Sequence, residues 1–263
     1  MKKLFVVLTV LLLLAVCSMP VLAAGSAVNE SGPTGIDFLD KLYETFIESG
    51  HWKMMLEGLG NTIKITLGAL LIGVVIGTLI AVVKYFGDDN KIIKPFAVIC
   101  DIYVTLIRGL PVTVLLLIFY YIIFVSSDDG VMVATVTFGI NSGAYMAELI
   151  RSGINAVDKG QMEAGRSLGL SKIQTMYKII FPQAIRYILP AIGNEFIALL
   201  KETSVAGYVA VVDLTRAGNV VRNLTFDAVS VLTTVAVIYL LMVIGLTKLL
   251  KMFERRLAKS DKR

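Results

Sequence analysis

Arg108, Asn141, Glu148, Glu195, Lys201 and Glu202 stand in or at the edge of long apolar runs. An ionisable or amide group in such a place is costly, and it marks a path, a relay or an internal pair. Glu195 and Glu202 fall at i and i+7, which puts both carboxylates on one face of a helix. Lys201 is about twelve residues into the run beginning at Leu189, roughly 18 Å along a helix and near the midplane of a bilayer. Arg108, beside the break Gly109-Leu110-Pro111, is placed to meet a carboxylate. The same residues also admit internal pairing that serves only the fold. Glu148 with Arg151 at i,i+3 is one such pair, and Lys201 with an acid on a neighbouring helix is another.

Nothing around them supports bond-breaking chemistry. The only histidine is His51, and the two cysteines, Cys17 and Cys100, have neither metal-ligand spacing nor a disulfide framework. Hydrolase and zinc-protease motifs are missing. The nearest text to a phosphate-binding loop, Gly58 to Thr66, lacks its Gly-Lys pair. The chain is therefore expected to be neither an ATPase nor another enzyme, and to hold no metal.

The elements that position these residues are membrane spans. Hydrophobic residues make up 56% of the chain and charged residues 17%, and the mean hydropathy is +0.79, outside the range of soluble domains. The net charge of +5 marks inner loops rather than a nucleic-acid surface, since no basic stripe with interleaved aromatics occurs. The fold class is all-α, with about five spans. Residues 1–24 have the basic start, apolar run and small-residue end of a signal peptide, with cleavage after Ala23; an uncleaved first span is the alternative. Residues 25–59 are a polar leader on the outer side, either an amphipathic helix on the interface or a disordered segment.

Spans are expected at Thr62 to Tyr85, where Gly68, Gly73 and Gly77 permit close packing, then at Val131 to Ile150, Leu189 to Val212 and Val229 to Leu250. From Pro95 to Val125 the apolar stretch is about 45 Å as one helix, longer than a ~30 Å core, so it must break. The expectation is a tilted or interfacial piece up to Arg108 and a span from Gly109, kinked at Pro111. Basic residues around residues 151–186 and in the tail, residues 258–263, place those segments inside, with the N-terminus outside.

Between two spans lies the mixed-charge segment Asp158 to Pro182. Asp158 with Gln161, and Ser171 with Gln174, have the spacing of capping boxes, and Gly169 sits where a helix end needs positive φ. Ile173, Met176, Tyr177 and Ile180 share a helical face, and Pro182 is expected to interrupt the ladder. The segment reads as helix, glycine corner, helix.

Glu163-Ala164-Gly165, then Gly169, Ile179 and Phe181-Pro182, resembles the EAA loop of permease subunits in bacterial ABC importers, usually E-A-A-x3-G-x9-I-x-L-P. Gly165 replaces the third alanine and Phe181 the leucine. RGLP at 108–111, NSGAYMAELIRSGINAV at 141–157, PQAIRYILPAIGNEFIALLKETS at 182–204 and FERRL at 253–257 are similar to the polar amino acid branch (histidine, glutamine or arginine type), covering most of the chain beyond Asn61.

The resemblance implies a permease domain over 60–257 in the bacterial inner membrane, with two permease copies forming a homo- or heterodimer. It also implies separate ATPase subunits carrying ATP and Mg, and an extracytoplasmic substrate-binding protein. Glu163, Ala164, Gly165, Gly169 and Pro182 would couple to the ATPase. Arg108, Asn141, Glu195, Lys201 and Glu202 would be substrate-path candidates. The rival from another class is a transporter or channel subunit with no ATPase partner, which has no use for the 158–182 segment.

Overall fold

The computed structural model describes residues 40–87 and 90–260; the expected signal peptide and most of the expected leader lie outside the described residues. Among those residues the chain is helical throughout, with no strand. The elements are α1 (Trp52–Gly87), α2 (Lys94–Gly109), α3 (Val112–Ile118, prolonged by a π turn Phe119–Ile123) and α4 (Gly130–Asn155). Then come α5 (Lys159–Ser167), α6 (Lys172–Thr175, prolonged by a π turn Met176–Ile180), α7 (Phe181–Glu202), α8 (Leu214–Thr225) and α9 (Ala228–Ser260).

The centre is the pair α1 and α4, the most extensive helix contact among the described residues. Its closeness depends on glycines. A Cβ on Gly73 would stand 2.9 Å from Ser142 Oγ, and one on Gly77 2.8 Å from the Ala147 backbone nitrogen, so the backbones meet where a side chain would hold them apart. Around this seam Ile65, Leu116, Phe138 and Leu199 are fully buried, drawing α3 and α7 onto the pair. Tyr103 adds a hydrogen bond from α2 to the Ile140 carbonyl at 2.5 Å.

The apolar stretch from residue 95 does break at Pro111, and more sharply than a kink: α2 and the segment after it are bent by 106°. Pro111 with an extended ψ of 132° cannot continue the α2 ladder, and Leu110 before it is driven to ψ 139°. Two further expectations are corrected. The first long helix begins at Trp52, not Thr62, because Met55 and the preceding Phe46 are buried against α8 and α9 and hold this end in the fold. The helix expected over 189–212 covers Phe181–Glu202 instead, and is followed by a short 3₁₀ turn, Thr203–Val209.

Two of the described helices, Trp52–Gly87 and the stretch Ala228–Arg256 of α9, are apolar and long enough to cross a bilayer, or three if the bent pair counts as one span. The helices α4 and α7 have 26 and 22 residues but carry polar groups that belong to the candidate path.

Candidate functional site: the helix–corner–helix segment and the polar face of α7

In the 158–182 segment, the first helix starts at Asp158, whose carboxylate accepts from Gly160 N–H at 2.7 Å. This corrects the expected pairing with Gln161. A backbone bond to the Asp158 carbonyl takes the Gln161 N–H, and its side-chain oxygen accepts from Gln183 of α7 at 3.2 Å.

The helix ends as expected. Gly169 has φ +80°, its N–H donates to the Arg166 carbonyl at 3.0 Å, and Leu170 N–H donates to the Gly165 carbonyl at 3.2 Å. This is the two-bond αL closure that only a residue without a Cβ adopts freely. Arg166 Nη1 reaches over the corner to the Leu170 carbonyl at 3.0 Å. Ser171 then opens the second helix with a complete capping box, Gln174 N–H to Ser171 Oγ at 3.2 Å and Ser171 N–H to Gln174 Oε1 at 2.8 Å.

Pro182 does not interrupt the second helix. That helix widens into the π turn Met176–Ile180 and runs straight into α7, with Pro182 in the first turn of α7. A wider turn gives the proline ring room that a regular ladder denies, and places the missing N–H where a helix start tolerates it. The change of pitch also splits the expected face. Ile180 is buried and Met176 half-buried against α4 and α7, whereas Ile173 and Tyr177 turn outward, 64% and 74% exposed.

The exposed surface includes Glu163, Ala164, Leu168, Ile173 and Tyr177. Gly165 faces the other way. It is buried, and a Cβ there would stand 2.9 Å from Thr175 Oγ1 and 3.1 Å from Ile179 Cδ1, so it lets the first helix lie on the second. The segment is tied to α1 by Lys172, whose ammonium lies 4.7 Å from the centre of the Tyr85 ring.

The second group of predicted residues gathers less tightly. Glu195 Oε1 accepts from Ser142 Oγ at 3.2 Å, joining α7 to α4 beside the buried Asn141. Glu202 is half-buried on the same helix face, and among the described residues neither glutamate is in an ion pair. The Arg108 guanidinium lies over the Tyr145 ring at 5.1 Å and makes no ion pair among the described residues. Lys201 is exposed in the last turn of α7, and no acid pairs with it among the described residues. Glu148 does pair with Arg151, through both guanidinium Nε and Nη2, so for that residue internal pairing holds.

Sequence reasoning passed over two features. Lys84 and Asp101 form an ion pair at 2.5 Å between α1 and α2, which no spacing along the sequence pairs. Asp213, fully buried, caps α8 by accepting from Thr215 N–H at 2.9 Å and Arg216 N–H at 3.0 Å. Burial pushes its carboxyl up, against the lowering effect of those N–H groups. The signal was an acid directly before the run Leu214-Thr215, a common helix start.

A family model described as binding-protein-dependent transport system inner membrane component matches residues 73–259. The putative glutamine transport system permease protein GlnP of Rickettsia typhi is 35% identical over 207 residues, 77% of this chain and 92% of that protein. The arginine transport system permease protein ArtQ of Bacillus subtilis is 34% identical over 210 residues, 79% of this chain and 94% of that one. A crystal structure of an amino acid ABC transporter with histidines contains a chain that superposes with TM-score 0.74 at 38% identity, covering 85% of this chain and all of its own. The match over most of the chain, to sequence and to fold alike, makes this protein a member of the family of inner-membrane permease components of binding-protein-dependent ABC transporters.

Proposed function

We propose that the chain is the translocation subunit for a polar amino acid, driven through the 158–182 segment by ATPase subunits on the cytoplasmic side. As a permease of this family it works with separate ATPase chains, a substrate-binding protein and a second permease copy. On the proposed reading the nucleotide and its Mg belong to the ATPase. The glutamine and arginine systems among its relatives support a polar amino acid as cargo. On this reading five spans are formed by α1, the bent α2–α3 pair, α4, α7 and α9. Residues 1–24 are a signal peptide, the N-terminus is outside, and the basic end of α9 is inside.

The observation that carries the proposal is the continuity of the segment with α7. A helix bearing Glu163 and Ala164 on its open face is folded back at Gly169 onto a second helix, which becomes α7 without a break. Movement of the docked helix reaches Glu195 and Glu202 through one continuous helical run, in which the π turn and Pro190 are the points that can bend. Glu163 offers the ATPase a charge-assisted hydrogen bond, Ala164 the room for close approach, and Gly165 and Gly169 the compactness of the pair. The polar face of α7, opposite Asn141 and Ser142, is the candidate path, with Arg108 at its edge and Lys201 at its end.

Uptake of radiolabelled glutamine and arginine into proteoliposomes holding the complete transporter tests this. Glu163→Lys replaces an acceptor with a like-sized cation on an exposed surface, so folding is unaffected and uptake falls by about tenfold or more. The proposal fails if the solubilised protein retains no ATPase and the variant transports as well as the parent.

A further inference from the structure

At the end of the bundle that carries the 158–182 segment, α1, α2 and α4 part to leave a cavity of about 270 Å³. It is lined by Ala81, Lys84 and Tyr85 of α1, Ala97 and Asp101 of α2, and Arg151, Ile154 and Asn155 of α4. No residue of α7 lines it, so it lies apart from the candidate path.

Its polar groups are only partly used. Lys84 Nζ meets one oxygen of Asp101 at 2.5 Å, which leaves two ammonium N–H groups and the second carboxylate oxygen. Arg151 commits Nε and one Nη2 hydrogen to Glu148, leaving three of its five donors. Asn155 adds an amide with no hydrogen-bond partner among the described residues. The surplus is mostly of donors, with an acceptor oxygen at one edge. A neutral or purely cationic molecule leaves that surplus unmet. A bare anion faces the carboxylates of Asp101 and Glu148. Water reaches these part-exposed side chains, and the solute that complements the whole set is one with an anionic group a few ångströms from an ammonium.

We propose that this cavity binds a zwitterion, its carboxylate or phosphate held by Lys84 and Arg151 and its ammonium by Asp101. Two sources carry that chemistry: the phosphoethanolamine headgroup of a membrane lipid, and a free amino acid. The site adjoins the coupling element, because the Tyr85 ring that lines it has Lys172 of the second segment helix at 4.7 Å. An occupant therefore fixes the ring against which the segment rests. That consequence rests on the function proposed above; the binding itself does not.

Native mass spectrometry of the complete transporter tests the binding, in nanodiscs of phosphatidylethanolamine mixed with phosphatidylcholine, whose quaternary ammonium has no N–H to offer Asp101. The expected result is selective retention of phosphatidylethanolamine, reduced about tenfold in Arg151→Gln, which removes one charge-assisted bond. Lys84→Asp with Asp101→Lys preserves the α1–α2 ion pair, and with it the fold, but moves the cation; it is expected to lose retention to the same degree. Added free phosphoethanolamine and free glutamine form the second arm. If glutamine displaces the lipid and phosphoethanolamine does not, the amino acid is the occupant; the reverse assigns the headgroup. The proposal is overturned if both variants retain phosphatidylethanolamine as the parent does and neither soluble zwitterion binds differently. Because the readout is occupancy rather than uptake, that failure leaves the importer reading untouched, and loss of uptake in Glu163→Lys leaves this one untouched.

Discussion

Helix α7 is entered and left through two turns of opposite construction. The entry turn, from Gly165 to Ser171, is closed almost wholly by bonds among its own residues, with glycine at the one position of positive φ. The exit turn, from Ala210 to Asp213, places an alanine at φ 60° and has two local bonds, Ala210 N–H to the Gly207 carbonyl and Asp213 N–H to the Val211 carbonyl, to which it adds bonds from far along the chain. Asn61 Nδ2 donates to the Val212 carbonyl at 2.9 Å, Leu214 N–H donates to Thr62 Oγ1 at 3.1 Å, and Tyr239 Oη lies 3.2 Å from Thr215 Oγ1. A turn that makes its own shape can move as a piece without losing it. A turn shaped by α1 and α9 holds its end of α7 to the bundle. On the proposed function, motion belongs to one end of the helix and anchorage to the other.

The anchorage breaks most readily at Gly58. A Cβ there would stand 2.7 Å from the Asp213 carbonyl oxygen and 2.9 Å from Ala217 Cβ, so Gly58→Val drives α1 and α8 apart at a point where backbone, not a flexible side chain, must give. The expected loss is about 3 kcal/mol or more, from overpacking together with the broken bonds of the exit turn. Gly60, with nothing within 4 Å of its Cβ position, is the matched control, and Gly60→Val is expected to cost under about 1 kcal/mol. Thermal unfolding of the purified complex compares them. Equal shifts in both would mean that the exit turn does not anchor α7.

The same division explains what could be read from the sequence. Gly169, the Ser171–Gln174 box, the break at Pro111 and the close-packing glycines of α1 were legible because each acts on neighbours a few residues away or repeats along one face. The consequence of Pro182 was not, because whether a proline ends a helix or is absorbed by a π turn depends on the packing of Ile180 and Met176 against other helices. Nor were the Lys84–Asp101 pair and the Asp213 cap with its Thr62 and Tyr239 neighbours, since a charge pattern names the end of a span but not which spans are adjacent. In the 158–182 segment the expected order of helix, glycine corner and capped second helix is what the structure has. On the path side only the Glu195–Ser142 contact joins predicted surroundings, and Arg108 is occupied by Tyr145.

The entry turn should respond locally. Gly169→Ala forces a Cβ into the left-handed region, at a cost of about 1–2 kcal/mol. Ser171→Ala removes one of two reciprocal cap bonds, a loss of about 1 kcal/mol. Hydrogen exchange is expected to quicken by roughly fivefold or more over residues 165–175 in each variant, in line with these energies. The unfolding midpoint of the whole complex should stay near the parent's. A large fall in the midpoint from either change would mean that the entry turn, too, is part of the anchorage.

The smallest effect has the opposite sign. Ala210 bears the steric penalty of left-handed backbone, about 1–2 kcal/mol, because the contacts on either side of it demand that shape. Ala210→Gly relieves the penalty but frees the unfolded chain, which offsets about 0.5–1 kcal/mol of the gain. The net expectation is a stabilisation of about 0.5 kcal/mol, read as a small rise in the unfolding midpoint. If the exit turn were as self-contained as the entry turn, it could instead relax to negative φ in the parent, and glycine would then only add freedom and lower the midpoint. The sign of that shift therefore decides whether distant bonds impose the conformation of residue 210.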